Sequence, residues 1–392
     1  MNRIHCRRLA LILLLGLLTG LCGCNKSQGD ATPQEDTVVT LAAVGDIYLT
    51  TPMLLDARTS SGAYDFSALF AGVIPTLCAA DVTLGNFEGS FAGSPYGPSE
   101  GSYPDELAAA LSTAGFDLLQ TANSFSIHNG MSGLERTRSI LLGQQLIPLG
   151  TYATRDERKE EQAILLEIRG IRIAFVAFTK GLGGMSIPSG SEYSVNLLYK
   201  DYDSTYSKLD YDAIDQVLAA AHKLEPDVIV AALHWGSENV SEVSASQEEL
   251  ADYLFRNDVD LILGSHSHIP GRIEERSVTT GSGFEKTVAV AYSLGDFCAA
   301  ESGEVAASLV LQVEFTRSAD SGETTITGVS YAPIATADLG ADQANRFAVL
   351  NIDDAVALYE GNYYARVSEE VYEALLEQKE ALLKQVESSE EP

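Results

Sequence analysis

Short apolar runs, each stopping abruptly at a glycine or a polar residue, constrain this chain more than any other feature. They are Val38–Val44, Ile173–Phe178, Val228–Leu233, Leu261–Leu263 and Val288–Tyr292. Each is too short for a buried helix and rich in β-branched and other apolar residues, which predicts strands buried on both faces. Helical periodicity fills the intervals, over Phe66–Ala80, Pro104–Ala114, Gly133–Gln145, Tyr211–Leu224 and Ser246–Asn257. Strands alternating with helices of about 10–15 residues specify an α/β domain. Ser308–Phe315 and Thr324–Tyr331 instead read as an antiparallel pair across an Asp-Ser-Gly turn. From about Asp338 the character changes, and Ser368–Glu387 is expected to form a polar, Glu-rich helix on the outside. No internal repeat is present.

Charge narrows the class of partner. Lys plus Arg number 25 against 55 Asp plus Glu, a net charge of −30. So acidic a surface repels phosphate backbones, which argues against nucleic-acid binding, and disfavours unaided attraction to anionic lipid. A hydrophobic content of 45% over 392 residues leaves ample chain for a core and excludes a disordered or collagen-like protein. The cysteines, at 6, 22, 24, 78 and 298, include no CxxC pair, so neither a disulfide scaffold nor a zinc knuckle is expected.

The first residues read as an address. Arg3, Arg7 and Arg8 precede an apolar run from Leu9 to Leu21, the layout of a secretory signal. That run has about thirteen residues, whereas a spanning helix needs about twenty. It ends in Leu21-Cys22-Gly23-Cys24, which resembles a bacterial lipobox. The resemblance implies cleavage before Cys24, a lipid on that thiol, and a protein anchored on the extracytoplasmic face of a bacterial membrane. A plain signal peptide with incidental cysteines is the alternative. The expected organisation is a leader at 1–23, a polar tether at 24–37, a folded domain at 38–337, and a C-terminal extension with a polar helix at 338–392. Cys78 and Cys298 would then remain, either paired or separately buried.

In α/β folds, chemistry collects beyond the carboxyl ends of strands. Here Gly45-Asp46 follows the first run, Asn86 and Glu88 follow Asp81–Leu84, and Asn123 follows Phe116–Ala122. His234 and Glu238 follow Val228–Leu233, His266 and His268 follow Leu261–Leu263, and Asp296 closes the last run. Residues two apart in an extended segment point the same way, so His266 and His268 are expected to reach one metal site. Mn, Fe and Zn accept mixed imidazole, carboxylate and amide ligands, and Asp46, Glu88 and Asn123 would complete such a shell. Each residue alone has a structural explanation: Asp46 as a helix cap, Asn123 as a turn former, a histidine as a satisfied core group. Together, five strand ends bearing them point to a polar active site. Lys180-Gly-Leu-Gly-Gly184 reads as an anion-facing loop or a flexible one, and no GxSxG, Walker-type or dinucleotide fingerprint occurs.

The order Gly45-Asp46, Asn86-Phe87-Glu88, Ala122-Asn123, His234-Trp-Gly-Ser-Glu238, a helix bearing Gln247, Asp260-Leu-Ile-Leu-Gly-Ser-His-Ser-His268 and Tyr292-Ser-Leu-Gly-Asp-Phe297 resembles the CapA-type capsule-synthesis proteins. The resemblance runs from about Val38 to Phe297. It implies a four-layer α/β/β/α sandwich of the metallophosphatase-like superfamily and a role in poly-γ-glutamate metabolism. It also implies Asp46, Glu88, His234, His266 and His268 as ligands of one or two divalent ions: Mn, Fe or Zn. Asn123 falls on the first Asn of the family's Asn-Asn-His segment, but here Ser124 and Phe125 follow. The family's histidine protonates a leaving group or stabilises charge, and Phe125 does neither. His128 either substitutes for it or is a surface residue. Tyr48 stands where many metallophosphatases place a second ligand.

Two readings follow. One is a metal-dependent hydrolase or transferase acting on an anionic polymer, such as poly-γ-glutamate or a cell-wall component. In it His234 is a ligand or charge stabiliser and Asn123 orients the oxyanion. The other is a non-catalytic polymer-binding or export-assembly protein working with membrane synthases; a phosphoesterase is a third possibility. A chain this acidic repels polyglutamate until salt screens the charges at about 8–10 Å, unless a metal makes the cleft locally positive.

Overall fold

The computed structural model describes residues 35–279, 283, 285–363 and 367–387. Cys24, the leader and most of the expected tether lie outside the described residues. In chain order the first half comprises β1 (Thr37–Ile47), α1 (Thr51–Asp56), α2 (Ile74–Cys78), β2 (Val82–Phe87), α3 (Glu106–Ala114), β3 (Leu118–Gln120), α4 (Gly130–Gly143), β4 (Ile147–Leu149), α5 (Arg155–Glu161), β5 (Ile164–Ile168) and β6 (Ile171–Thr179). There follow α6 (Tyr211–Lys223), β7 (Val228–His234), α7 (Ala245–Arg256), β8 (Leu261–Ser265), β9 (Ile273–Thr279), β10 (Glu285–Ala291), β11 (Asp296–Cys298), β12 (Val305–Arg317), β13 (Thr324–Asp338), β14 (Phe347–Asn351), α8 (Ile352–Glu360) and α9 (Glu369–Glu387).

The strands form two sheets. One has the order β14-β13-β12-β1-β2-β3-β4, with β11 beside β1; the other has the order β5-β6-β7-β8-β10-β9. The alternation of side chains along each strand explains the layering. On β1, Val39, Leu41 and Ala43 face the second sheet, while Ala42, Val44 and Ile47 face the helices. On β7, Val228, Val230 and Ala232 face the first sheet, while Ile229, Ala231 and Leu233 pack beneath α6 and α7. Strands covered on both faces must be apolar throughout, which is why these runs stand out in the sequence. The result is the expected four-layer α/β/β/α sandwich.

Two expectations need correction. Phe66–Ala80 is not one helix: only Ile74–Cys78 is helical, with Pro75 in its first turn. Proline lacks the N–H a helix interior requires, so it starts the helix there. The segment from 338 onward is not set apart either. β14 pairs antiparallel with β13, and α9 inserts Leu375, Leu382 and Val386 into the molecule. Leu382 and Val386 belong to the core between the sheets, so the apolar stripe of this polar helix closes one end of that core. Cys298 is buried, and no disulfide joins it to Cys78, whose thiol lies 3.9 Å from the Ala114 carbonyl. Among the described residues, no helix is long and apolar enough to cross a membrane.

Candidate metal centre

The carboxyl ends of β1, β2, β7 and β8 converge, and each delivers one or two polar side chains into a common space. Asp46, on β1, is fully buried; Asn86, on β2, donates to its Oδ1 over 2.6 Å. Glu88 follows β2 and is 2% exposed. His234 is the last residue of β7, and its Nε2 meets Glu88 Oε1. His266 and His268 follow β8; the His266 amide donates to Asp46 Oδ2 at 3.2 Å, and His268 Nδ1 lies 2.7 Å from Asp296 Oδ1. Asp296 comes from β11, which runs parallel to β1 with Asp296 beside Asp46.

The two histidines of the Gly-Ser-His-Ser-His element do not form one shell. Both have left-handed backbones, with φ of +96° at His266 and +63° at His268, so the segment is not extended and the alternation argument fails. Such conformations cost about 1–3 kcal/mol each and persist where the surroundings hold them. As a result, Glu88, His234 and His266 form one group of donor atoms within 4.8 Å of one another, and Asp46, Glu88 and His268 form a second. Glu88 is common to both. The rings of His234 and His266 lie 4.4 Å apart.

Burial dominates the electrostatics of this cluster. Burial, with Glu88 and Asp296 adding repulsion, pushes the Asp46 carboxyl up to about 8. Burial likewise raises Glu88 to about 7, against the pull of His268. His234 is driven down to about 3 by burial, and His266 is held well below the usual imidazole range, by burial first and then by His234. Burial also opposes the charge on His268, but the hydrogen bond to Asp296 and the charges of Asp296, Glu88 and Asp46 outweigh it and raise that ring to about 10. Neutral imidazoles beside crowded carboxylates are the donor set that a borderline divalent cation neutralises.

One tautomer strengthens that reading. Thr179, buried at the end of β6, donates its hydroxyl proton to the Gly181 carbonyl at 2.8 Å. Its oxygen therefore accepts from His234 Nδ1–H at 3.3 Å. The Nε2 lone pair is then aimed at Glu88 Oε1, acceptor against acceptor, unless a proton or a cation lies between them. A second group fixing a ligand's free nitrogen is a recurrent feature of metal sites. Thr179 lies one strand away from the motif residues, and nothing in the sequence singled it out.

The remaining candidates fall into place unevenly. Asn123 is buried but fully engaged: its Nδ2 donates to Asn86 Oδ1 and the Phe87 carbonyl, and its Oδ1 accepts from the Phe125 amide. It braces Asn86, so it has no free donor for an oxyanion. His128 is exposed, with its ring tilted against Phe125 at a centroid distance of 5.5 Å, and is not among the residues lining the cleft. Glu238 is exposed and does line it, with Glu301 and Glu304. The cleft has a volume of about 530 Å³ and, among its lining residues, neither Lys nor Arg. Lys180 is turned away: its Nζ donates to the Gly236 carbonyl and sits 4.9 Å from the Tyr206 ring.

Comparison with known proteins agrees with the motif order. Residues 40–301 match the family described as bacterial capsule synthesis protein PGA_cap. The PGA biosynthesis protein CapA of Bacillus subtilis is 25% identical over 272 residues, 67% of this chain and 64% of that protein. The capsule biosynthesis protein CapA of Bacillus anthracis is 24% identical over 245 residues, 60% of this chain and 56% of that one. This chain thus matches less than two thirds of the length of either relative. A crystal structure described as a novel phosphatase from Mycoplasma pneumoniae is similar with a TM-score of 0.45 and 11% identity, covering 77% of this chain and 95% of that one. With the profile match spanning most of the chain, the protein belongs to the bacterial capsule synthesis family PGA_cap, the CapA-type proteins.

Proposed function

We propose that this protein is an extracytoplasmic, lipid-anchored, metal-dependent hydrolase or transferase of capsule or poly-γ-glutamate metabolism. The observation that carries the reading is the pair of donor groups sharing Glu88 at the floor of an open cleft. When bound there, a divalent cation supplies Lewis acidity toward a carbonyl or phosphoryl oxygen and a nucleophilic water at neutral pH. Asp46, Glu88, His234, His266 and His268 would hold it. Thr179 fixes the His234 tautomer, Asn123 and Asn86 hold Asp46 in place, and Asp296 orients His268.

The cleft wall bears on the substrate. With Glu238, Glu301 and Glu304 around it, no Lys or Arg among its lining residues, and the charged His268 ring already paired with Asp296, its attraction for an anionic polymer comes chiefly from bound cations. Poly-γ-glutamate binding is therefore expected to weaken strongly on chelation. The first test is elemental analysis after incubation with Mn, Fe or Zn and desalting, with a His266→Ala/His268→Ala control, followed by turnover assays on poly-γ-glutamate and phosphate esters. About one or two ions per chain, lost in the control, with turnover supports the reading; no retained metal refutes it. The lipid anchor is tested by acyl labelling, which Cys24→Ser should abolish.

Phe125 favours a second reading. It stands beside the cleft with no proton to give, as expected of a polymer-binding or export-assembly protein that works with membrane synthases. Metal-dependent polymer binding without turnover would select it.

A further inference from the structure

Beside the donor cluster, the lining of the cleft includes Tyr48, Ser124 and Phe125. Phe125 contributes a ring, and its amide is already committed to Asn123 Oδ1. Tyr48 is different. Its backbone is pinned by the bond from its amide to the Cys298 carbonyl at 3.2 Å, so the residue is fixed against β11. Its ring meets the edge of His268 at a centroid distance of 6.4 Å and packs 6.3 Å from Phe125. It is half-buried, and among the described residues its hydroxyl has no hydrogen-bond partner. A phenol held by its ring, with an uncommitted O–H beside a cluster of metal-type donors, is a preorganised hydrogen-bond donor.

We propose that the Tyr48 hydroxyl donates the hydrogen bond to the substrate oxygen on which negative charge develops, on the side of the cleft where Phe125 has none to offer. This rests on the hydrolase reading above. In hydrolysis, water adds its OH to the electrophilic atom and its second hydrogen reaches the departing oxygen through solvent, while the Tyr48 O–H bond stays intact. The contribution is directional and neutral, so it adds no charge to an acidic cleft.

The test uses the purified full chain, loaded with metal, as wild type, Tyr48→Phe and Ser124→Ala. Three quantities are measured: metal content, the Kd for inorganic phosphate, and kcat/KM for p-nitrophenyl phosphate and phenyl phosphate. Tyr48→Phe should retain its metal, raise the phosphate Kd about 5–10-fold, and lower kcat/KM about a hundredfold for phenyl phosphate but less for the better leaving group. Ser124→Ala should change each by less than about threefold, as a solvated hydroxyl does. Turnover by the wild type that is unchanged in Tyr48→Phe, or a larger loss in Ser124→Ala, overturns the proposal and leaves the hydrolase reading standing. Metal lost on Tyr48→Phe also overturns it, by making the phenol a ligand. No metal or no turnover in the wild type refutes the hydrolase reading, and this inference with it.

Discussion

Gly45 precedes Asp46, and its substitution by alanine tests the geometry of the whole site. A Cβ built there would lie 1.8 Å from the Gly295 carbonyl oxygen and 2.9 Å from the carbonyl carbons of Gly295 and Leu294. All three are backbone atoms, so no side chain can swing aside. Ordinary contact requires about 3.5 Å, so β11 and the turn before it must retreat from β1 by about 1.7 Å. That movement breaks the bond from the Asp46 amide to the Gly295 carbonyl, now 2.8 Å, and carries Asp296 away from Asp46 and His268. Overpacking costs about 1–3 kcal/mol and the lost hydrogen bond about 1, giving a loss of about 2–4 kcal/mol. Equilibrium urea unfolding measures it, with metal affinity of the folded variant as a second readout, expected to weaken. Gly143→Ala is the control, because it lies in α4 with nothing within 4 Å of its Cβ and should gain up to about 1 kcal/mol. A Gly45→Ala loss below about 0.5 kcal/mol would refute the close approach of β1 to β11, and with it the placement of Asp296.

Three further outcomes are expected. Glu88→Gln should abolish metal retention altogether because both donor groups use Glu88, whereas His268→Ala should leave the group built on His234 and His266 able to retain an ion; elemental analysis of the two variants distinguishes them. Arg346, with the amides of Gly303 and Gly340, holds the buried Asp338 carboxyl down at about 2, below its ordinary 3.8. A depressed carboxylate stabilises the fold above its unfolded pKa and loses that contribution as pH falls toward 2, so Asp338→Asn should flatten the stability curve by about 2 kcal/mol across that window. Leu382→Ala should cost about 2–4 kcal/mol in urea unfolding, since this residue of the outwardly polar α9 is 3% exposed within the inter-sheet core; a neutral result would make α9 a mere appendage.

Much of the fold was legible because strands covered on both faces must be apolar over their whole length, and β1, β6, β7, β8 and β10 therefore announce themselves. The edge strands did not. β5 and β9 have no fully buried position, and β9 carries Glu274, Glu275 and Arg276, so its membership depends on pairing with β10 and not on its own composition. The 66–80 helix failed on a single residue, Pro75, whose local rule outweighs the periodicity around it.

The candidate site divides in the same way. By itself, the sequence determined which residues reach the carboxyl ends of the strands, because a residue that follows a buried strand has only one end of the sheet to occupy. It also determined the family, through the order of those motifs. Only the tertiary structure decided how the donors group. Positive φ at His266 and His268 sends the two rings into different clusters. Glu88 joins the clusters because β2 and β7 lie in sheets that face each other. Thr179 and Tyr48 gain their roles through neighbours distant in sequence: His234, 55 residues from Thr179, and His268, which lies in the other sheet's loops. Local rules set each side chain's address along its strand; the packing of one sheet on the other sets what it meets.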